Sequence, residues 1–351
     1  MFKKILIPLF ALLAFAAFVV PAAASAAGSA VVFSKSSTVE GKAKGGLFAV
    51  KSGHLNQLTE DPTDSEPNFS PDGRTIAFVR GGDVYSIRPD GSGQRQLTSG
   101  PEVDSLPKIA PSGRFVVFER RGALGGPSTL YTVGVSGGGL HALTSGGDNR
   151  EATFSPDGKA IVFVRATPTG SSSNDDLYSV RPNGSGLTRL TRTGGVDEFA
   201  PRFFAGGVIY SRGESTPGPA AYADIYTMRR DGSKAKSQVA GVGSAYVEDV
   251  SADGRMLIFR RDQGLWAKKI GPTKARKLSQ LPDGSRTSAV FSSDGKRVAA
   301  FVAVEDQQQL VAINVATRDV TDLAEGYDYE EGEGTAIGPV IDWQPVPQHR
   351  K

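Results

Sequence analysis

Apolar and polar positions alternate in short bursts along this chain, and the bursts recur. The unit is an apolar residue, a four-residue polar turn and an apolar run closed by a basic residue. Ser70-Pro71-Asp72-Gly73 returns as Ser155-Pro156-Asp157-Gly158, with weaker copies at Ala110–Gly113, Ser251–Gly254 and Ser292–Gly295. Each leads into a β-type run, as in Thr75–Arg80, Phe115–Arg120, Ala160–Arg165 and Met256–Arg261. Pro presets φ for the first turn position, Asp suits the second, and Gly accepts the left-handed conformation that closes the hairpin. In the clearest copy Glu66–Ser70 reads as a first strand, Thr75–Arg80 as a second, Asp83–Arg88 as a third and Gln94–Thr98 as a fourth. Four antiparallel strands recurring every ~40–50 residues describe a propeller blade.

The residue before each turn forms a column: Phe69, Ile109, Phe154, Phe203, Val250, Phe291 and Trp343. A second column runs through the second strands: Phe33, Phe78, Phe118, Phe163, Tyr210, Phe259 and Phe301. Phe33 has no first strand before it and Trp343 no second strand after it. The offset predicts that a C-terminal strand around Val340–Trp343 completes the blade begun by Val31–Phe33, Leu47–Val50 and Leu55–Thr59. The expected fold is therefore all-β: one propeller of seven four-stranded antiparallel blades, its ring closed by pairing of the N- and C-terminal strands. Glycine, 43 of 351 residues, suits such a turn-rich array.

The chain's start breaks the pattern. Lys3 and Lys4 precede an uncharged apolar run from Ile5 to Val20, then Pro21 and small residues. These are the marks of a secretory signal peptide over 1–26, with cleavage before Ala27 or after Ala24, leaving a propeller over 27–351. An uncleaved anchor is the other reading, although the run is shorter than the ~20 residues of a membrane span. There are no cysteines, hence no disulfides and no lipid-modified thiol. The formal charge of +3 includes both leader lysines, and this balance supports neither a nucleic-acid nor an anionic-membrane partner; no membrane insertion is expected after cleavage.

The Ser-Pro-Asp-Gly turns, the Ile76–Arg80 run, and the segments Asp83–Gly93 and Asp176–Gly186 resemble the WD-related repeat of TolB-type β-propellers. The likeness spans roughly Val31 to Val346 and fades at Phe203–Gly207 and Gly271–Leu281. It implies the propeller fold. The family includes periplasmic proteins that bind lipoprotein partners, and propellers attached to serine peptidases. This sequence departs from both, with seven blades where periplasmic TolB has six, no segment for its N-terminal domain and none for an α/β-hydrolase.

Residues that carry chemistry are sparse. Gly134-Val135-Ser136-Gly137-Gly138 matches a nucleophile-elbow pattern, but aligns with the turn at Pro89–Gly93. The histidines His54, His141 and His349 are too scattered to converge on a metal. No cofactor is implied. A basic column, Lys35, Arg80, Arg120, Arg165, Arg212 and Arg261, ends six second strands. It reads either as a ring for an anionic partner or as cross-strand pairs, and counting back from the turns sets Asp64, Asp104 and Asn149 opposite Arg80, Arg120 and Arg165. Long loops follow in three blades, Gly122–Ser128, Ala166–Asp176 and Gly213–Asp224, the last holding Tyr222. Glu325, Asp328, Glu330, Glu331 and Glu333 form an acidic segment that reads as a solvated loop, with Ca²⁺ binding as the other reading.

The function expected is an exported, monomeric, non-catalytic module of the envelope or extracellular space. Its partner would be a protein, or else an anionic glycan, held by Arg80, Arg120, Arg165, Arg212, Tyr222 and Arg261. The alternative is a glycan-directed hydrolase or lyase in the central funnel, with carboxylates drawn from Glu66, Glu151, Glu198 and Glu248.

Overall fold

A computed structural model describes residues 30–39, 42–169, 172–213, 222–241, 243–280, 288–304, 307–323 and 336–344. The leader at 1–26 and the acidic segment at 325–333 lie outside the described residues. All described regular structure is β: 28 strands in seven four-stranded antiparallel sheets. Blade 1 joins Ala336–Trp343 to Ala30–Val39, Lys42–Lys51 and His54–Gln57. Blades 2 to 7 follow in chain order, their first strands being Ser65–Phe69, Val103–Ile109, Asp148–Phe154, Asp197–Phe204, Ala245–Val250 and Ala289–Phe291. Each first strand touches the first strands of both neighbouring blades, closing a ring around a central axis.

The ring closes as the offset columns predict. Val31 pairs with Trp343 and Phe33 with Ile341, so one sheet holds both ends of the chain and neither end leaves an unpaired inner edge.

Within a blade the second-strand column is the core. Phe33, Phe78, Phe118, Phe163, Tyr210, Phe259 and Phe301 are all exposed by 1% or less. In six blades the residue opposite on the third strand is aromatic: Phe48, Tyr85, Tyr131, Tyr178, Tyr226 and Trp266, with ring centroids 5.6 to 6.4 Å apart. Such cross-strand pairs are worth about 0.5–1.5 kcal/mol beyond the area they bury. Blade 7 places Leu310 there instead.

The turn motif has a hydrogen-bonding reason. Ser70 Oγ donates to Asp72 Oδ1 (2.6 Å) and accepts the Thr75 N–H (2.9 Å). Ser155, Ser251 and Ser292 do the same with Asp157, Asp253 and Asp294. Gly73 takes φ 68°, a left-handed conformation strained for any side chain. These bonds pair Ser70 with Thr75, not with Arg74 as simple counting assumes. A bulge between Ser65 and Asn68 then shifts the register by one, so Asp64 still meets Arg80.

Deleting Ala336–Lys351 should strip the inner strand of blade 1 and expose two sheet edges. Expected are a lower Tm, a broadened melt and self-association in sedimentation velocity; a monomeric, equally cooperative truncated chain would overturn the closure.

Candidate functional site

Strand direction alternates within a blade, which sorts the loops onto two faces. Connectors between blades and the second-to-third strand hairpins share one face, here the connector face. The Ser-Pro-Asp-Gly turns and the third-to-fourth strand turns share the opposite one, the turn face.

The arginine column lies at the connector face and is engaged within each blade. Arg80 Nε and Nη2 donate to Asp64 at 2.6 and 2.7 Å, and Arg120 grips Asp104 at 2.6 and 2.8 Å. Both carboxylates are fully buried. Arg165 Nε donates to Asn149 Oδ1 at 2.7 Å. The same guanidiniums lie over the aromatic pairs of their blades: Arg80 over Phe78 and Tyr85, Arg120 over Phe118 and Tyr131, Arg165 over Phe163 and Tyr178. Arg212 sits 3.8 Å over Tyr226, and Arg261 Nε is 4.0 Å from Asp262. Glu198 occupies the position equivalent to Asp104, opposite Arg212. Its carboxylate accepts the Thr191 hydroxyl (2.8 Å) and that of Thr193, so it belongs to the blade wall and not to the central channel.

The loop at Ala166–Asp176 is instead a continuation of the sheet, pairing Ala166 with Asp175 out to Thr169 with Ser172. The ladder continues past Arg165, whereas that of blade 3 ends at Arg120 and Thr129. Arg150 Nη2 holds Asp175 at 2.6 Å, and Asp197 of the next blade accepts the Asp175 N–H at 2.8 Å. Gly122–Ser128 is open loop, carrying the fully exposed Leu124. Gly213 pairs with Ala223, next to Tyr222, which is exposed by 47%. The Gly134–Gly138 motif is the turn its alignment predicts, with Gly134 and Gly138 hydrogen-bonded across it.

The channel wall supplies what sequence reasoning missed. At every blade boundary a side chain of one blade accepts a backbone N–H from the next. Asp342 accepts Phe69 (2.7 Å), Glu66 accepts Leu106, Glu119 accepts Glu151 (2.6 Å) and Glu151 accepts Ala200 (2.5 Å). Ser211 accepts Val247, Asp249 accepts Phe291 and Ser288 accepts Ile341, each at 2.9 Å. Leu106, Glu151 and Ala200 reach their acceptors with φ of 49–55°, strained for residues other than glycine. Glu66 and Glu151 therefore belong to the channel wall, and Glu248 accepts the Ala289 backbone N–H of the next blade while pairing with Arg260 at 3.0 Å. Beside them Lys108 and Arg202, from blades 3 and 5, face Asp249 and Asp342, from blades 6 and 1.

Burial sets the proton affinities here. It pushes Asp342 up to about 6 and Glu248 and Glu119 up to about 7, against the pull of Lys108 on Asp342 and Arg260 on Glu248. Burial, with repulsion from Arg202, lowers Lys108. Carboxyls tuned near neutrality can exchange protons in a reaction. Asp342 and Glu119 are also committed as acceptors for backbone N–H groups. Among the described residues no three His, Asp or Glu side chains form a metal-binding group.

The sequence model of the TolB beta propeller domain matches residues 13–196, just over half of the chain. The chain belongs to the TolB β-propeller family. No curated protein sequence matches. Among solved structures, oligogalacturonate lyase from Vibrio parahaemolyticus superposes with TM-score 0.63 at 13% identity, covering 84% of this chain and 92% of that one. TolB from Acinetobacter baumannii gives 0.55 at 15% identity, covering 90% and 83%. The β-propeller domain of the trilobed protease from Pyrococcus furiosus gives 0.60 at 11% identity, covering 88% and 95%. That propeller has an open velcro topology, whereas this TolB-family ring is closed by the Val31–Trp343 pairing. Identities this low establish the shared fold alone.

Two outcomes follow. Asp104→Ala leaves a buried guanidinium without its partner and should cost about 3 kcal/mol. Urea unfolding checks this, and the Asp104→Ala/Arg120→Met double variant should recover part of the loss. Because Asp342 and Glu119 bind protons more tightly folded than unfolded, their stabilising contribution is complete at about pH 4 and is lost as pH rises through about 7. Tm should decline across that window, and the Asp342→Asn/Glu119→Gln variant, which keeps both acceptor oxygens, should flatten the decline.

Proposed function

We propose that this TolB-family chain is an exported, non-catalytic propeller that binds a protein partner on its connector face. The observation that carries the reading is the set of raised hairpins. In blade 1 the Ala30–Val39/Lys42–Lys51 ladder runs ten residues, and in blade 4 the Ile161–Thr169/Ser172–Val180 ladder runs nine. Blade 2 makes the same connection with five. Unequal, hydrogen-bonded walls on one face of a rigid ring give a shaped surface at little ordering cost. Leu124 of blade 3 and Tyr222 of blade 5 add exposed apolar contact area in the blades on either side of the blade 4 hairpin. The leader-like N-terminus and the TolB likeness support export to the periplasm or beyond.

A second reading has its own support. The channel brings Lys108 and Arg202 against the near-neutral Asp342 and Glu248, and a fold neighbour is an oligogalacturonate lyase. A uronate carboxylate could pair with the two cations while a channel carboxyl exchanges a proton. The occupied acceptors favour the binding module.

The test uses the mature chain, residues 27–351, crosslinked in envelope extract, beside the Leu124→Asp/Tyr222→Ala variant. One protein retained by the parent and lost by the variant is the expected result. No such protein, together with release of unsaturated products from oligogalacturonides, would replace this reading with the channel enzyme.

A further inference from the structure

The chain's formal charge is nearly balanced, but the fold sorts it by face. On the turn face, the residue after the turn glycine is a cation in five blades: Arg74, Arg114, Lys159, Arg255 and Lys296, all exposed. The third-to-fourth strand turns of blades 5 and 6 concentrate the charge further. Arg229, Arg230, Lys234 and Lys236 crowd the first of these turns, and Lys269, Lys274 and Arg276 the second, all exposed. Between residues 229–236 and 269–276 the one acid is Asp231, and its carboxylate is occupied by the N–H of Ser233 in its own turn.

The two turns are fastened into one patch. Gln238 of blade 5 accepts the Gly271 N–H (2.8 Å) through its side chain and the Lys268 ammonium (2.6 Å) through its carbonyl. Arg230 reaches Asp157 of blade 4 at 3.0 Å, and Arg276 donates to the Ala316 carbonyl of blade 7. The opposite face is mixed: Glu60, Asp61, Glu102, Asp148, Asp197 and Asp322 stand in or beside its connectors, together with the arginine column.

The cations stand on turns of neighbouring blades, spread over one face of the ring instead of along a single groove. The same series of turns carries exposed apolar side chains, Leu140 and Leu187 at 44% and Val320 at 53%. Cations with interspersed apolar side chains on one face fit a lipid surface, with the cations at the headgroups and the apolar groups at the acyl boundary. We propose that the turn face docks onto an anionic lipid bilayer through the turns of blades 5 and 6. The connector face then points away from the membrane, free for a partner. This goes beyond the proposed protein binding and can fail or succeed independently of it.

The experiment is co-sedimentation of the mature chain with phosphatidylcholine vesicles, with and without phosphatidylglycerol. Expected is binding to the anionic vesicles alone, weakening as salt approaches ~0.15 M, where screening sets in beyond ~8 Å. Lys236→Glu/Lys269→Glu/Lys274→Glu should weaken it at least ~100-fold, from the loss of three headgroup contacts. The control Lys42→Glu/Lys44→Glu/Arg192→Glu, on the connector face, should bind as the parent does. Equal weakening by both variants, or no vesicle binding at low salt, would overturn the proposal. Binding to soluble polyphosphate without binding to vesicles would overturn it too, reassigning the patch to a linear polyanion. Matching Tm values for parent and variants show that the fold is intact.

Discussion

The ring depends on how the innermost strands treat their inner edge. A four-stranded sheet has two edges, and on the inner one every second backbone N–H points toward the axis with no strand to receive it. The blades splay outward, so neighbouring first strands touch without forming a ladder. Here the gap at each of the seven boundaries is bridged by a side-chain oxygen of one blade accepting a backbone N–H of the next. Leaving such a donor buried and unpaired costs roughly 1–3 kcal/mol. The carboxylates around the axis therefore have a structural task before any chemical one. That task also accounts for the left-handed residues at Leu106, Glu151 and Ala200, whose strain is offset by the bonds it permits.

Six of the blades are in turn held by a stack that runs across the sheet. A buried aromatic on the second strand faces an aromatic on the third, and in blades 2 to 4 an arginine lies over both while its guanidinium is held by Asp64, Asp104 or Asn149. Cation, rings and carboxamide or carboxylate satisfy one another in a small, water-poor volume. The stack turns a two-residue sequence feature, aromatic then basic two positions on, into a rigid blade edge. Rigid edges let the hairpins of blades 1 and 4 stand above the ring as firm walls.

The two faces have separate characters. The connector face carries the arginine column, the connector acids and the longer hairpins. The turn face carries the first-to-second and third-to-fourth strand turns, and its cations are densest in blades 5 and 6. A propeller sorts its loops by strand direction, so a repeat that places a basic residue after the turn glycine in five blades also places those residues on one face.

Much of this protein was legible from one sequence. The turn motif and the two columns predicted seven blades and the closure of the ring by its own ends, because both follow from local turn chemistry and a fixed period. The opposition of Asp64 and Arg80 was legible as well, although by two offsetting slips: the turn pairs Ser70 with Thr75, and the bulge at Glu66 returns the register by one. The third-strand aromatics could have been found by extending the columns one strand further. The hairpin at Ala166–Asp176 reads as a loop because its Pro, Gly, Ser, Asn and Asp residues show no apolar alternation. What the sequence alone determined is everything set within a blade, where partners lie close along the chain and the pattern of side chains reports them. The acceptors across blade boundaries, the charges meeting in the channel and the division of charge between faces were decided only by tertiary structure. Each depends on residues about 30 or more positions apart, brought together by closure of a ring that no local pattern encodes.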